Sequence, residues 1–417
     1  MAQETTASFP GLPLPPTFPP GVNPETYHLD SVTRLLRRAA FFSLFSVPSG
    51  IPNVPLPMPG SSTLLRGIEV HENVHRFDIR VERKEGDGLR SRNILGQSAG
   101  TVHIHWLPVP DNFEAAPGRI PPPTALDPSR SQRFVMMNGE FRFDDPEQSG
   151  FHGFGAGRTF PVQTGNQRQL RIGAVVEILE GFGRLKNHTG NIVVNGYISP
   201  PNGLALNLML RLMDPDEDLL LRSESEPIVP MPLTDPEATF FVFLGERDPG
   251  NPITLNTTPD GKVLGAIVHE RLRLVQVNFG VHEGLQSCTT EGPIVGSLSF
   301  LLDFNLFDPT IPFPFQTHQG KFTFFDKNQN SIGTVEADIV EGRSFRTDLQ
   351  GAPMSIFRMV GFGPMLKGSG EFAGADGMLS LNGAISVFPR SPCLFYVLRF
   401  RDPDGNLRAR LDTCWSR

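Results

Sequence analysis

Gly181-Phe182-Gly183-Arg184-Leu185-Lys186-Asn187-His188-Thr189-Gly190 aligns without a gap over Gly368-Ser369-Gly370-Glu371-Phe372-Ala373-Gly374-Ala375-Asp376-Gly377. At the same offset Asn195-Gly196-Tyr197-Ile198-Ser199 falls over Asn382-Gly383-Ala384-Ile385-Ser386. One residue later Leu210-Arg211-Leu212-Met213-Asp214-Pro215 meets Leu398-Arg399-Phe400-Arg401-Asp402-Pro403, and upstream Val70-His71-Glu72 meets Val268-His269-Glu270. Two copies of one module of roughly domain size imply a duplicated globular domain and not a solenoid of short repeats.

The local signals inside each copy are strands. Val102, Ile104 and Trp106 alternate with His103 and His105, a period of two that buries the first set and turns the histidines outward. Leu298, Phe300 and Leu302 hold the same phase in the second copy, and Gly320 to Phe325 repeats the character of Gly139 to Phe143. Strand-like runs end in Gly, Asn-Gly or Asp-Pro at short intervals, which suits antiparallel barrels joined by hairpins. The 40 prolines, 42 glycines and 33 phenylalanines agree with an all-β chain rich in turns and with an aromatic interior.

The expected organisation is therefore a Pro-rich arm over residues 1–64, a first β-barrel over 65–220, a linker over 221–261 and a second β-barrel over 262–417. Within the arm, Leu29, Val32, Leu35, Leu36, Ala39 and Ala40 recur at helical spacing, with Asp30 or Ser31 as N-cap and Pro48 barring continuation. This amphipathic helix, with Arg34, Arg37 and Arg38 on its wet side, is read as docking on the barrels; contact with a membrane surface is the alternative.

At 417 residues the chain is long enough for two full cores. A net charge of −7 argues against nucleic acid as a partner. Cys288, Cys393 and Cys414 give neither a disulfide framework nor metal-ligand spacing, so a reducing, cytoplasmic setting is the default. No apolar run approaches a membrane span, and the basic-then-apolar stretch from Arg37 to Val47 is too far from the N-terminus to read as a signal peptide. Gly181 to Gly190 lacks the Lys-Ser/Thr end of a phosphate loop, and Ser199 and Ser386 lack a nucleophile elbow. His103 and His105 could share a metal, but no third ligand is visible at useful spacing, so no metal or cofactor is expected.

The hairpin Gly368-Ser369-Gly370-Glu371-Phe372-Ala373-Gly374-Ala375-Asp376-Gly377 resembles a late hairpin of the allene oxide cyclase-like and dirigent-like barrel families. Val387-Phe388-Pro389 and Leu394-Phe395-Tyr396 look like the closing strands of an allene oxide cyclase. Gly96-Gln97-Ser98-Ala99-Gly100 is similar to an early turn of that family, and Glu69-Val70-His71-Glu72 to its first strand. The resemblance implies two tandem eight-stranded barrels, each enclosing an apolar cavity without metal or organic cofactor. It implies a cofactor-independent cyclase or isomerase that shapes a hydrophobic polyene, terpenoid or fatty-acid-derived substrate. The alternative is a non-catalytic lipophilic-ligand carrier or a dirigent-like steering protein.

The candidate catalytic residues are Glu69, His71, Glu72 and Tyr396. By the resemblance, Glu69 takes the place of the acid inside the barrel, His71 that of an asparagine beside it, and Tyr396 a closing-strand tyrosine. Alternation gives a different orientation: Ile68, Val70 and Val74 share a phase with Glu72, as Val268, Leu272 and Leu274 do with Glu270, which would point Glu72 and Glu270 inward and Glu69 outward. The first copy keeps Glu69 with His71 where the second has Ile267, so the first barrel is expected to carry the chemistry, although Tyr396 belongs to the second copy and the first has Leu208 there. Arg171 with Arg358, and Arg211 with Arg399, are duplicated arginines that either bind a substrate carboxylate or anchor the Asp214-Pro215 and Asp402-Pro403 turns.

Overall fold

Alternation decides the strands. Val102, Ile104 and Trp106 are buried while His103 and His105 are half-buried on the opposite face, as the period of two requires. The computed structural model describes residues 37–84, 88–164, 167–199, 203–214, 216–219, 230–231, 238–259, 263–281, 284–304, 313–347, 356–386, 391–402 and 405–415. In chain order the first half holds β1 (Ala39–Pro48), β2 (Val54–Pro57), β3 (Leu65–Lys84), β4 (Gly88–Val109), β5 (Gln132–Phe143), β6 (Gly150–Thr164), β7 (Gln167–Phe182), β8 (Gly190–Ser199) and β9 (Gly203–Met213). The second half holds β10 (Ala238–Arg247), β11 (Thr254–Thr257), β12 (Val263–Gly280), β13 (Gln286–Asp303), β14 (Phe313–Phe325), β15 (Ser331–Ala337), β16 (Glu341–Thr347), β17 (Ile356–Gly370), β18 (Gly377–Ser386), β19 (Ser391–Arg401) and the helix α1 (Asn406–Cys414).

Among the described residues all the strand pairings are antiparallel. β3 to β9 pair in sequence order, and β1 sits between β9 and β3, which closes an eight-stranded barrel with β2 hydrogen-bonded to β3 outside the ring. In the second half β12, β13 and β14 pair in succession, β14 meets β15 and β16, both meet β17, and β17, β18 and β19 follow. β10 then pairs with both β19 and β12. Among the described residues no helix is long and apolar enough to cross a membrane.

Two boundaries differ from the sequence reading. β1 lies inside the stretch assigned to the arm, yet it is a member of the barrel ring, and β10 lies inside the stretch assigned to the linker, yet it pairs with β12 and β19. Ala39-Ala40-Phe41-Phe42-Ser43-Leu44-Phe45 and Ala238-Thr239-Phe240-Phe241-Val242-Phe243-Leu244 are a further pair of matched segments. Their alternation is hidden because both faces are buried: Phe42 and Leu44 face the barrel interior, whereas Phe41 and Phe45 pack against the other half. Ala39 and Ala40 are thus strand residues; the rest of the expected helix, Leu29 to Leu36, lies outside the described residues.

The quoted glycine hairpins join β7 to β8 and β17 to β18. Gly183 and Gly370 each have φ of 61°, in the left-handed region, and Asn187 and Gly374 share it at 71° and 74°. A side chain at Gly370 would also meet the Ile332 carbonyl oxygen at 2.4 Å. Glycine is needed there for geometry, not chemistry. The matched Asn195-Gly196 and Asn382-Gly383 are not turns at all; they lie in mid-strand, in β8 and β18.

Those matched residues form the seam between the halves, and their contacts are reciprocal. Arg358 donates to the Gly190 carbonyl at 2.8 Å and to Asn191 Oδ1 at 2.7 Å, while Arg171 donates to the Gly377 carbonyl at 3.3 Å and pairs with Asp376. Asn195 Nδ2 reaches the Met378 carbonyl at 3.4 Å and Ser380 Oγ at 3.0 Å; Asn382 Nδ2 reaches the Asn191 carbonyl at 3.0 Å and that of Met209 at 3.1 Å. Around this polar set Phe41, Phe45, Met209, Phe240, Val242 and Val397 make an apolar layer. Ile79 pairs with Val277, its own counterpart, where β3 meets β12. Of the duplicated arginines, Arg399 reaches across the seam, with Cζ 4.8 Å from the centre of the Tyr197 ring, while Arg211 lies 5.7 Å from the ring of Phe41, which itself packs on Phe395 of the second half. The Asp402 turn is held instead by the Thr239 hydroxyl and by the N–H groups of Leu407 and Arg408.

The ends of the long hairpins are exchanged. Phe279, Val281 and Leu285 from β12–β13 pack into the core of the first half, Phe279 at 5.5 Å from Phe42. Val81 of β3 packs on the core of the second half, which α1 also covers through Leu407, Leu411 and Trp415. Replacing Arg358 by Met leaves the Gly190 carbonyl and Asn191 Oδ1 short of a buried donor, so the expected loss is about 1–3 kcal/mol in urea unfolding. An unchanged unfolding midpoint would show that the seam contributes nothing through this arginine.

Candidate functional site

A carboxylic acid is buried at the same place in each half. On β3, Ile68, Val70, Glu72 and Val74 share the inner face, and Glu72 is only 3% exposed. On β12 the matching Glu270 is 1% exposed and faces Leu298 across the ladder. Alternation therefore gave the right orientation, and the inward placement of Glu69 and His71 implied by the resemblance is corrected. β3 alternates regularly through this stretch, so neighbouring residues cannot share a face.

The two acids differ in their partners. Glu72 accepts one hydrogen bond, from Asn53 Nδ2 at 3.2 Å. Glu270 accepts one from the Tyr396 hydroxyl at 2.7 Å, and both groups are shut away from water. The Phe322 ring stands edge-on to Tyr396 at 5.6 Å. Gly245 on β10 makes the approach possible, since a Cβ there would lie 2.1 Å from Glu270 Oε2 and 2.8 Å from the tyrosine ring. In each acid the second oxygen, Glu72 Oε2 and Glu270 Oε1, is buried without a hydrogen-bond partner among the described residues.

Burial sets the protonation of these groups. It raises Glu72 above the usual carboxylate range and pushes Glu270 up to about 8, against a smaller lowering by the Tyr396 hydrogen bond. Tyr396 is raised well above its ordinary value by burial and by the neighbouring acid. At neutral pH Glu270 is a neutral carboxylic acid in an apolar enclosure, able to donate a proton. Tyr396 and the acid it bonds thus both stand in the second half. Ile267, at the position of Glu69, lies exposed on the face opposite Glu270.

Glu69 and His71 meet instead on the outer face, where the sequence showed no third ligand for His103 and His105. Glu69 lies opposite His105, and His71 opposite His103, on the paired strands β3 and β4. Glu69 Oε1 is 3.1 Å from His71 Nε2 and 3.0 Å from His103 Nε2, and its Oε2 is 3.9 Å from His105 Nε2. The His71 and His103 rings stack at 4.6 Å, and Asn138 Nδ2 is 3.1 Å from His105 Nδ1. The His103 hydrogen bond, helped by the other histidines, holds Glu69 below the usual carboxylate range. Glu69, His103 and His105 can offer three ligand atoms to one ion. Spacing along one strand conceals such a set, because the missing members lie on the next strand.

A second group, His188, Asp214 and Asp218, also gathers three donors. Asp214 accepts the Asp218 and Leu219 N–H groups at 3.0 and 3.2 Å, so this carboxylate fastens the turn after β9. No protein-family model, curated protein or solved structure matches the chain.

The raised Glu270 has a measurable consequence. The folded protein keeps its proton above the pH at which an unfolded glutamate loses it, so folding gains from this group below about pH 4.5 and loses that gain as pH rises towards 8. Each pH unit in that window is worth at most about 1.4 kcal/mol. Glu270→Gln is expected to flatten the fall of stability between these limits, read from urea unfolding at several pH values. Parallel pH curves for variant and parent would contradict the buried, neutral acid.

Proposed function

We propose that this chain is a tandem pair of barrels working as a cofactor-independent cyclase or isomerase on an apolar substrate, with Glu270 as the proton donor and Tyr396 as the group that orients it. The observation that carries the reading is the pair at 2.7 Å inside an apolar enclosure, with the second carboxyl oxygen unpartnered. An acid held neutral by burial is suited to protonating an alkene, epoxide or carbonyl oxygen. The Tyr396 hydroxyl then donates to the carboxylate that remains and stabilises it. The cyclic order of the second-half strands supports the second barrel, and the reciprocal seam supports its origin as a copy of the first. The glycine hairpins add the likeness to allene oxide cyclase-like barrels, which bears on the fold and only by analogy on the reaction.

A lipophilic carrier would use the same enclosure without proton transfer. Trp415, directly after α1, packs within the second-half core against Phe241 with ring centres 5.3 Å apart. Along β10 the Gly245 cradle of the acid lies four residues beyond Phe241, away from Trp415.

The test begins with organic extraction of the purified protein and mass spectrometry of any apolar compound retained. Incubation with that compound and with polyene or terpenoid epoxide analogues follows. The expected result is turnover that falls about a hundredfold or more in Glu270→Gln, by loss of the general acid, and less in Tyr396→Phe. Retention without turnover would make the protein a carrier, and turnover unaffected in Glu270→Gln would remove this acid from the mechanism.

A further inference from the structure

We propose that the outer face of β3 and β4 is a binding site for one borderline divalent transition ion, zinc being the reference case, with Glu69, His103 and His105 as ligands. The three donor atoms lie within 4.8 Å of one another on two directly paired strands, so the backbone already fixes their relative placement. An ion held at about 2.0–2.2 Å from each would close the remaining distance by side-chain rotation alone. Two imidazoles and one carboxylate suit zinc, cobalt or nickel better than magnesium or calcium, which prefer oxygen. All three side chains are part-exposed, at 27%, 38% and 29%, so an ion has a path in and a solvent-facing position remains for water.

The surroundings fit a metal site. Asn138 stands 3.1 Å from His105 Nδ1; with its amide turned so that Oδ1 accepts from that nitrogen, it would present Nε2 to the ion as a free lone pair. Asn138 holds a φ of 52° at the bulge where β5 shifts register against β4 and β6, which aims its side chain at this spot. His71 stacks on His103 and steadies its ring. The second half supplies an internal control. Where β12 pairs with β13, Ile267, Ser299 and Leu301 occupy the positions of Glu69, His103 and His105, on the same kind of strand pair. The strand pairing needs none of the three ligand side chains.

The experiment is calorimetric titration of the full chain with zinc chloride, alongside visible spectra of the cobalt(II) form, on four proteins. These are the parent, Glu69→Gln, the triple variant Glu69→Ile/His103→Ser/His105→Leu that installs the second half's own residues, and His188→Ala. Circular dichroism checks that each is folded. The parent and His188→Ala should bind one zinc at this site and show the intense cobalt bands of a low-symmetry centre with nitrogen ligands. Glu69→Gln should bind about tenfold or more weakly, by analogy with other losses around metal centres, and the folded triple variant should lose the site. The proposal is overturned if the parent binds no zinc, if the triple variant binds as tightly as the parent, or if the binding disappears in His188→Ala.

Discussion

Two backbone carbonyls, those of Gly190 and Gly377, each take a guanidinium from the opposite half, and the arrangement of both halves turns on that exchange. A buried arginine is costly to desolvate, so it is tolerated only where acceptors meet it in fixed geometry. Arg358 finds Thr347 Oγ1, Asn191 Oδ1 and a carbonyl, and burial still lowers it to about 10. A seam of phenylalanine and valine alone could slide. Polar contacts that work in only one register, backed by Asn195 and Asn382, fix which strand faces which. The exchanged hairpin ends follow, since Phe279 reaches the first core only when the halves stand in this relation.

The same seam explains which parts of the fold were legible in the sequence. Strands with one buried and one wetter face, such as β4, announce themselves by alternation. β1 and β10 do not, because the seam buries their outer faces, and a continuous apolar run reads equally as helix, linker or strand. Asn195-Gly196 and Asn382-Gly383 have the composition of turns, but the asparagine is a cross-seam donor. The glycine allows close packing, since a Cβ at Gly196 would meet the Ala205 carbonyl oxygen at 2.3 Å. Repetition located the important residues correctly while composition misjudged their work.

For the buried acids, plain periodicity outperformed resemblance. Glu72 and Glu270 share a phase with apolar neighbours, and that phase points inward. The Tyr396–Glu270 contact spans 126 residues and could not be read from spacing. The outer cluster was hidden for a related reason. His103 and His105 are visible as a pair in β4, but Glu69 and His71 become their neighbours only through the register of β3 against β4. Cross-strand chemistry is written in pairing, and pairing is set by the whole barrel.

One strand thereby holds two opposite electrostatic environments. Glu69, facing out, lies among imidazoles that stabilise its charge and lower its proton affinity, whereas Glu72, three residues on and facing in, is raised by burial among apolar side chains. The backbone between them is the barrel wall, rigidly hydrogen-bonded on both sides. A carboxylate suited to holding a cation and a carboxylic acid suited to giving up a proton can coexist on β3 because alternation assigns them to different solvents. The two halves differ at these positions: the second keeps the inner acid and adds Tyr396, but has Ile267 in place of the outer carboxylate. The inner and outer faces of equivalent strands in the two matched halves can differ independently, while the seam residues, answerable to both halves at once, stay matched.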